Sequence, residues 1–147
     1  MSNLFFINKK WVAKFIYFFK EFNNFAIHPK LRFMFTIYHN PRCRKSRAGL
    51  EYLQSKTNDF TVVDYFKQPF DEKSLSNLFI KLNKKPFEMV RTQEEYFKKE
   101  LKGKNFTDEE WVKIMLENPK LIKRPLVVKG NKAVWADPAE EMEVLFK

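Results

Sequence analysis

Residues 35–47 constrain the fold more than any other part of this chain, because they combine a strand pattern, a forced turn and a helix start. Apolar and polar side chains alternate over 34–38, which predicts a half-buried strand. Asn40-Pro41 cannot continue that strand and marks a turn. Apolar residues recur at helical spacing from Ser46 onward, so the only cysteine, Cys43, falls at or just before a helix N-terminus.

The position of Cys43 has a chemical consequence, because the first turn of a helix presents unpaired N–H groups and the positive end of the helix dipole. Four cations surround the cysteine in the sequence: Arg42, Arg44, Lys45 and Arg47. A lone cysteine is more often a small buried hydrophobic residue, but these cations and the Asn-Pro turn disfavour burial. We therefore expect a readily ionised, nucleophilic thiol beside groups that would also bind an oxyanion.

A likeness to a known family begins at this loop. Residues 37–47 resemble the active-site loop of the glutaredoxin-dependent arsenate reductases, the ArsC family of thioredoxin-like proteins. The likeness resumes at Val90-Arg91, continues through 118–128 and includes Asp137-Pro138-x-Glu140. It covers about residues 34 to 147 and implies a thioredoxin-like α/β domain over that range.

The resemblance also assigns roles to individual residues. It implies that Cys43 is the nucleophile and that Arg91 and Arg124 hold the oxyanion and lower the pKa of the cysteine. Pro125 would be the cis-proline that thioredoxin folds place opposite the cysteine. His39 is equally credible as a structural hydrogen-bonding residue. The residues expected to shape or line the substrate site are His39, Asn40, Arg44, Ser46, Arg47 and Pro125.

One position departs from the family pattern. Members that reduce arsenate well carry a third arginine immediately before the proline that corresponds to Pro138, and this chain has Asp137 there. A carboxylate would repel an oxyanion, which leaves the substrate open. Asp137 is also explained by structure alone, because Asp-Pro is typical of a helix start, and we predict that it caps the closing helix.

A single cysteine cannot resolve a covalent intermediate within the chain. The resemblance implies glutathione as the external co-substrate and glutaredoxin as a protein partner, with no bound cofactor. Two histidines and one cysteine lack the spacing of metal ligands, so we expect no metal site. A fold that needs no disulfide suits a reducing compartment, and we predict a cytoplasmic location.

Two other functions are also compatible with the sequence. A regulator resembling Spx would have the same fold and act by contacting RNA polymerase, but such proteins typically carry Cys-x-x-Cys, and Ser46 stands at the second position here. That substitution disfavours a redox switch without excluding a binding role. The third possibility, which Asp137 leaves open, is a reductase of another oxyanion or of a mixed disulfide.

The remaining pattern predicts the elements around this site. It indicates a strand over 61–65, a helix capped by Asp71, a mostly helical insert over 86–122 and a hairpin turn at Gly130-Asn131. The apolar positions expected to face the core are Leu75, Leu78, Phe79, Leu82, Trp111, Ile114, Met115 and Leu116. The pattern also predicts capping boxes at Thr92-x-x-Glu95 and Thr107-x-x-Glu110. The resulting order predicts a four-stranded mixed sheet flanked by helices.

Residues 1–33 differ in composition from the rest, with eight of the seventeen phenylalanines and half of the net charge of +10. Aromatic spacing predicts an amphipathic helix over 10–25, which could lie on an anionic membrane or a partner. We favour instead an extension that is disordered or foreign to the natural protein. Its longest uncharged apolar run near the N-terminus, 15–19, is too short to span a bilayer. No nucleic-acid motif accompanies the basic charge.

Overall fold

The computed structural model describes residues 34–147. They form a four-stranded sheet in the order β2-β1-β3-β4. The strands are β1 (Phe35–His39), β2 (Phe60–Asp64), β3 (Leu126–Lys129) and β4 (Lys132–Trp135). β1 runs parallel to β2 and antiparallel to β3, and β3 pairs antiparallel with β4, so the sheet is mixed as predicted. The predicted extension over 1–33, with its helix over 10–25, lies outside the described residues.

Within residues 34–147, three α-helices and several shorter helical turns surround the sheet. The helices are α1 (Arg44–Lys56), α2 (Glu72–Leu82) and α3 (Asp108–Glu117). Short 3₁₀ helices cover Pro86–Met89, Pro119–Leu121 and Ala139–Leu145, and a π-helical turn covers Phe97–Leu101. None of the helices within 34–147 is both long and apolar enough to cross a membrane.

The core has two parts, because alternate residues of a strand point to opposite faces. Phe35 and Ile37 of β1 pack with Leu53 of α1 and with the last 3₁₀ helix on one face. Tyr38 lies toward the other core, which α2 and α3 supply. The parallel pairing of β1 with β2 brings the C-terminal ends of both strands to one edge, where the Cys43 loop follows β1.

Two predicted helix starts are confirmed in detail. The Asp71 carboxylate accepts a hydrogen bond of 2.6 Å from the Ser74 N–H and caps α2. Thr107 and Glu110 form a reciprocal capping box at α3. The predicted inward residues of α2 are all buried. In α3, Trp111 and Met115 are buried with Val112, whereas the predicted Ile114 and Leu116 are only partly buried.

The predicted Thr92-x-x-Glu95 capping box is wrong, and the insert is less helical than expected. The Arg91 N–H donates to the Leu121 carbonyl at 2.7 Å, and Val90 forms an isolated β-bridge with Ile122. These contacts hold the chain extended immediately before Thr92, so a turn follows instead of a capped helix. The helical turn begins later, without a side-chain cap.

The strand limits also move by one residue. β1 begins at Phe35, whose N–H donates to the Asp59 carbonyl at 3.0 Å and which pairs with Phe60 in the parallel ladder. The ladder ends where His39 pairs with Asp64, so β2 ends at Asp64. Tyr65, which the sequence pattern placed inside the strand, lies just beyond its end and is buried.

Gly49 of α1 offers a stability test of the packing between this helix and Pro125. A Cβ added at Gly49 would lie 2.5 Å from Pro125 Cγ. Alanine is normally more stable than glycine in a helix by about 0.5–1 kcal/mol, but overpacking a core costs about 1–3 kcal/mol. We expect Gly49→Ala to lower the free energy of unfolding in urea by about 1–2 kcal/mol.

The control for Gly49→Ala is Glu51→Ala, at an exposed position of the same helix. Its free energy of unfolding should change by less than about 0.5 kcal/mol. Equal or increased stability of Gly49→Ala would show that α1 and Pro125 are not in close contact.

Candidate active site

Cys43 is the N-cap residue of α1, with extended backbone angles of φ −97° and ψ 124°. Asn40 shapes the loop that leads to it, because the Asn40 side-chain oxygen accepts from the Arg42 N–H at 2.9 Å and its carbonyl accepts from the Cys43 N–H at 3.0 Å. The turn imposed by Asn40-Pro41 thus ends with the sulfur in the place of a capping oxygen. The predicted placement of Cys43 at the helix start is correct.

Several groups act on the ionisation of Cys43. Partial burial is the largest single influence and opposes ionisation, but the Ser46 N–H, the Arg124 guanidinium and the Lys45 N–H together outweigh it. The pKa of Cys43 is therefore lower than that of an ordinary cysteine. The thiol itself makes no capping hydrogen bond. The surrounding N–H and guanidinium groups favour its thiolate form.

Arg124 lies in the segment before β3 and lines the same cavity as Cys43. Its Nη1 donates to the carbonyl oxygens of Lys120 at 2.7 Å and Ile122 at 3.4 Å, and its side chain is only 10% exposed. Neutral carbonyls hold the guanidinium in place without cancelling its charge. The Arg124–Pro125 peptide bond is cis, as the family resemblance implied.

The contacts of Arg91 differ from those of Arg124. Its Nη1 lies 2.6 Å from a Glu94 carboxylate oxygen, without the alignment of a hydrogen bond. With the Gln93 amide oriented to satisfy both groups, its oxygen accepts from Arg91 Nη2 at 3.2 Å and Nε at 3.1 Å. Gln93 and Glu94, which are neighbours in one turn, therefore both contact the Arg91 guanidinium.

A cavity of about 400 Å³ joins these groups. Cys43, Arg91 and Arg124 all line it, so the structure brings the three predicted catalytic residues together. The other lining residues are Lys45, Phe87, Glu88, Val90, Thr92, Gln93, Lys123, Trp135 and Asp137. Most of this second group comes from the insert and from β4, far from the cysteine loop in sequence.

None of the six predicted substrate-binding residues lines this cavity. They are His39, Asn40, Arg44, Ser46, Arg47 and Pro125. Arg44 and Arg47 are exposed, and Arg47 Nη1 donates to the Pro41 carbonyl at 3.0 Å. The loop therefore uses most of these side chains to hold its own shape.

His39 and Ser46 connect the strand end to the helix start. The buried His39 Nδ1 lies 3.2 Å from the Ser46 carbonyl and donates to it as the Nδ1–H tautomer, and the Ser46 hydroxyl oxygen accepts from the Asn40 N–H at 3.2 Å. Burial lowers the pKa of His39, and its bond to Ser46 only partly opposes that effect. His39 is therefore neutral near pH 7. Both side chains position the loop that carries Cys43.

Tyr65 was not among the predicted site residues. It is buried, and its hydroxyl has no hydrogen-bond partner of normal geometry within the described domain. Burial raises the pKa of Tyr65 to about 12, although the nearby Arg124 and Arg91 guanidinium groups act in the opposite direction. The one sequence signal that could have placed Tyr65 at the site is its position at the C-terminal end of β2. This end of the sheet also carries the cysteine loop.

The prediction that Asp137 caps the closing helix is wrong. Pro138 occupies the N-cap position of the final 3₁₀ helix, so Asp137 stands one residue too early for its carboxylate to reach the first N–H groups. The carboxylate instead pairs with the Lys45 ammonium at 2.6 Å. A carboxylate thus lies at the cavity wall beside a compensating cation.

Comparisons with known proteins point to one family. The model of the ArsC family matches residues 38–145. The chain is 32% identical over 112 residues to an arsenate reductase of Neisseria meningitidis, covering 75% of this chain and 96% of that protein. It is 36% identical over 108 residues to the uncharacterised protein YfgD of Escherichia coli, covering 72% and 91%.

Solved structures give the same result for the fold. An arsenate reductase from Vibrio cholerae superposes with a TM-score of 0.72 at 31% identity, covering 77% of this chain and 98% of that one. The predicted thioredoxin-like sheet with flanking helices is thereby confirmed.

Proposed function

The chain belongs to the ArsC family, and we propose that it is a thiol-dependent reductase that converts arsenate to arsenite. The observation that carries this proposal is the placement of the Cys43 sulfur between the N-terminus of α1 and the Arg124 guanidinium, at a cavity that Arg91 also lines. This arrangement supplies a thiolate and a cationic site for an oxyanion in one place.

The first step forms a sulfur–arsenic bond. The Cys43 thiolate attacks arsenic of a bound arsenate, and one arsenate oxygen leaves with protons as water. Arg124 and Arg91 would neutralise the remaining oxygens, and the N–H groups at the start of α1 would donate hydrogen bonds to them. Arsenic is still As(V) in this covalent intermediate.

The second step needs a thiol from outside, because Cys43 is the only cysteine of the chain. The external thiolate attacks the Cys43 sulfur, and the sulfur–arsenic electron pair stays with arsenic, which leaves as As(III) arsenite. A second thiol then reduces the resulting mixed disulfide and regenerates Cys43. Glutathione as the donor and glutaredoxin as the protein that reduces the mixed disulfide fit this sequence, and so does a reducing compartment such as the cytoplasm.

The experiment that tests this function is arsenite release by the purified full chain supplied with arsenate, glutathione and glutaredoxin. We expect release that depends on all four components. Turnover of a mixed disulfide without arsenite release would contradict arsenate as the substrate. Capture of RNA polymerase by a chain that releases no arsenite would favour a regulatory role instead.

Asp137 provides a test of substrate affinity. Asp137→Asn removes a negative charge from the cavity wall and releases Lys45, so both changes favour the bound oxyanion. We expect KM for arsenate to fall roughly fivefold, which corresponds to about 1 kcal/mol for a partly exposed charge, with kcat little changed.

The control for Asp137→Asn is Glu140→Gln, which removes the same charge from an exposed position outside the cavity. Its KM should match that of the unaltered chain. An unchanged or higher KM for Asp137→Asn would show that Asp137 does not oppose substrate binding.

A further inference from the structure

Glu94 places a carboxylate between the two arginines of the cavity. Its Oε1 lies 2.6 Å from Arg91 Nη1 and 3.9 Å from Arg124 Nη2. All three side chains are largely withdrawn from solvent, with exposures of 23% for Glu94, 18% for Arg91 and 10% for Arg124. One carboxylate oxygen is therefore shared by two guanidinium groups that come from separate segments.

Even with the Gln93 amide oxygen on Arg91 Nη2 and Nε, each arginine keeps a buried donor without an aligned acceptor in the described part of the chain. The contact with Arg91 lacks hydrogen-bond alignment, and Arg124 Nη2 is at the distance of an ion pair only. Arg124 Nε is also buried without a hydrogen-bond partner among residues 34–147. A tetrahedral oxyanion offers several acceptor oxygens and can satisfy donors that a single carboxylate oxygen cannot.

We propose that Glu94 is an internal counterion that holds the place of the substrate anion and is displaced when an oxyanion binds. The proposal rests on the proposed function for the class of ligand, an inorganic oxyanion. Glu94 then lowers the affinity of the site for oxyanions, because each incoming anion must compete with a carboxylate already present at high effective concentration. Anions with two or more negative charges compete better than singly charged ones.

The sequence offers a closely matched pair of variants for the test. Glu94→Gln removes the carboxylate charge from the arginine pair and keeps the size of the side chain. Glu95→Gln removes the same charge from the next residue, which is 79% exposed and pairs with Lys99. Both variants carry the same net charge, so only the position of the lost carboxylate differs.

Inorganic phosphate is the probe, because it has the shape of arsenate and is not reduced by thiols. The readout is the phosphate concentration that half-protects Cys43 from alkylation by iodoacetamide. For Glu94→Gln we expect this concentration to fall roughly tenfold, which corresponds to about 1.4 kcal/mol. For Glu95→Gln we expect no change. Equal or weaker protection in Glu94→Gln would overturn the proposal and indicate that Glu94 orients the arginines.

Two further readouts separate displacement from a purely structural role. Loss of the Glu94 charge should move the alkylation midpoint of Cys43 to lower pH, because Arg124 is no longer partly neutralised. In the arsenate assay, KM should fall while kcat changes little. A lower kcat with unchanged KM would contradict displacement by substrate.

The unaltered chain gives an independent test that needs no variant. Crystal structures with and without phosphate should show Glu94 within ion-pair distance of Arg91 only when phosphate is absent. A carboxylate that stays in place beside bound phosphate would refute the proposal. Failure to release arsenite, with phosphate binding tightened in Glu94→Gln, would reject the proposed reaction and leave this inference standing.

Discussion

Cys43→Ser is expected to reduce arsenite release to the background rate, a loss of roughly a thousandfold or more. The serine hydroxyl stays protonated near pH 7 in a site that favours a thiolate, so the attacking atom is lost. The fold should persist, because the Cys43 side chain makes no capping hydrogen bond and is not part of the buried core. The measurement is arsenite produced per chain with saturating glutathione and glutaredoxin.

The control is Ser55→Ala, an exposed position in the same helix far from the cavity. Its arsenite release should equal that of the unaltered chain. Thermal unfolding of Cys43→Ser should also remain cooperative. Turnover retained by folded Cys43→Ser would contradict a covalent role for this residue.

Arg124→Met should have the second largest effect. The substitution keeps an unbranched side chain but removes the guanidinium that acts on the Cys43 sulfur. We expect kcat/KM for arsenate to fall by roughly 10²- to 10³-fold, as on loss of one oxyanion-binding donor. The pKa of Cys43 should rise, so the alkylation midpoint should move to higher pH and less thiolate should be present near neutral pH.

Lys113→Met is the control, because Lys113 is an exposed cation on α3 and lies outside the cavity. It should leave both the alkylation midpoint and kcat/KM nearly unchanged. Arg124→Lys restores a positive charge without the planar fork that also holds the Lys120 and Ile122 carbonyls, so it should recover part of the thiolate but little of the rate. Equal effects of Lys113→Met and Arg124→Met would indicate a general charge effect.

Local sequence signals were sufficient where neighbouring residues determine the structure. Asn40-Pro41 forces the turn, and the capping residues Asp71 and Thr107 satisfy the first N–H groups of their own helices. The helix start at Cys43 follows from the same short-range chemistry. These features need no information about distant parts of the chain, so they were predictable.

Long-range contacts explain the errors. The Thr92-x-x-Glu95 box had the right residue types, but pairing of the preceding residues with the segment near Leu121 holds the chain extended. Asp137 matched a helix cap, yet it stands one residue early and pairs with Lys45, 92 positions away. Such partners are invisible to a local pattern.

The composition of the cavity wall was equally inaccessible to a local pattern. Phe87, Lys123 and Trp135 line the same cavity as Cys43, although they come from the insert, the segment after it and β4. Only the folded structure shows that Tyr65 is buried near two arginines and that Glu94 lies beside Arg91. Sequence spacing alone assigns a tyrosine after a strand to the core and a glutamate in a polar run to the surface.

A thiolate titration of the unaltered chain, followed by ultraviolet absorbance, measures the ionisation of Cys43 directly, because Cys43 is the only cysteine of the sequence. We predict a midpoint clearly below that of free cysteine, about 8.5, and a return toward that value when the chain is unfolded in urea. The folded chain should correspondingly gain stability from this group as pH rises from the folded to the unfolded midpoint. A folded midpoint at or above about 8.5 would show that the site does not stabilise the Cys43 thiolate.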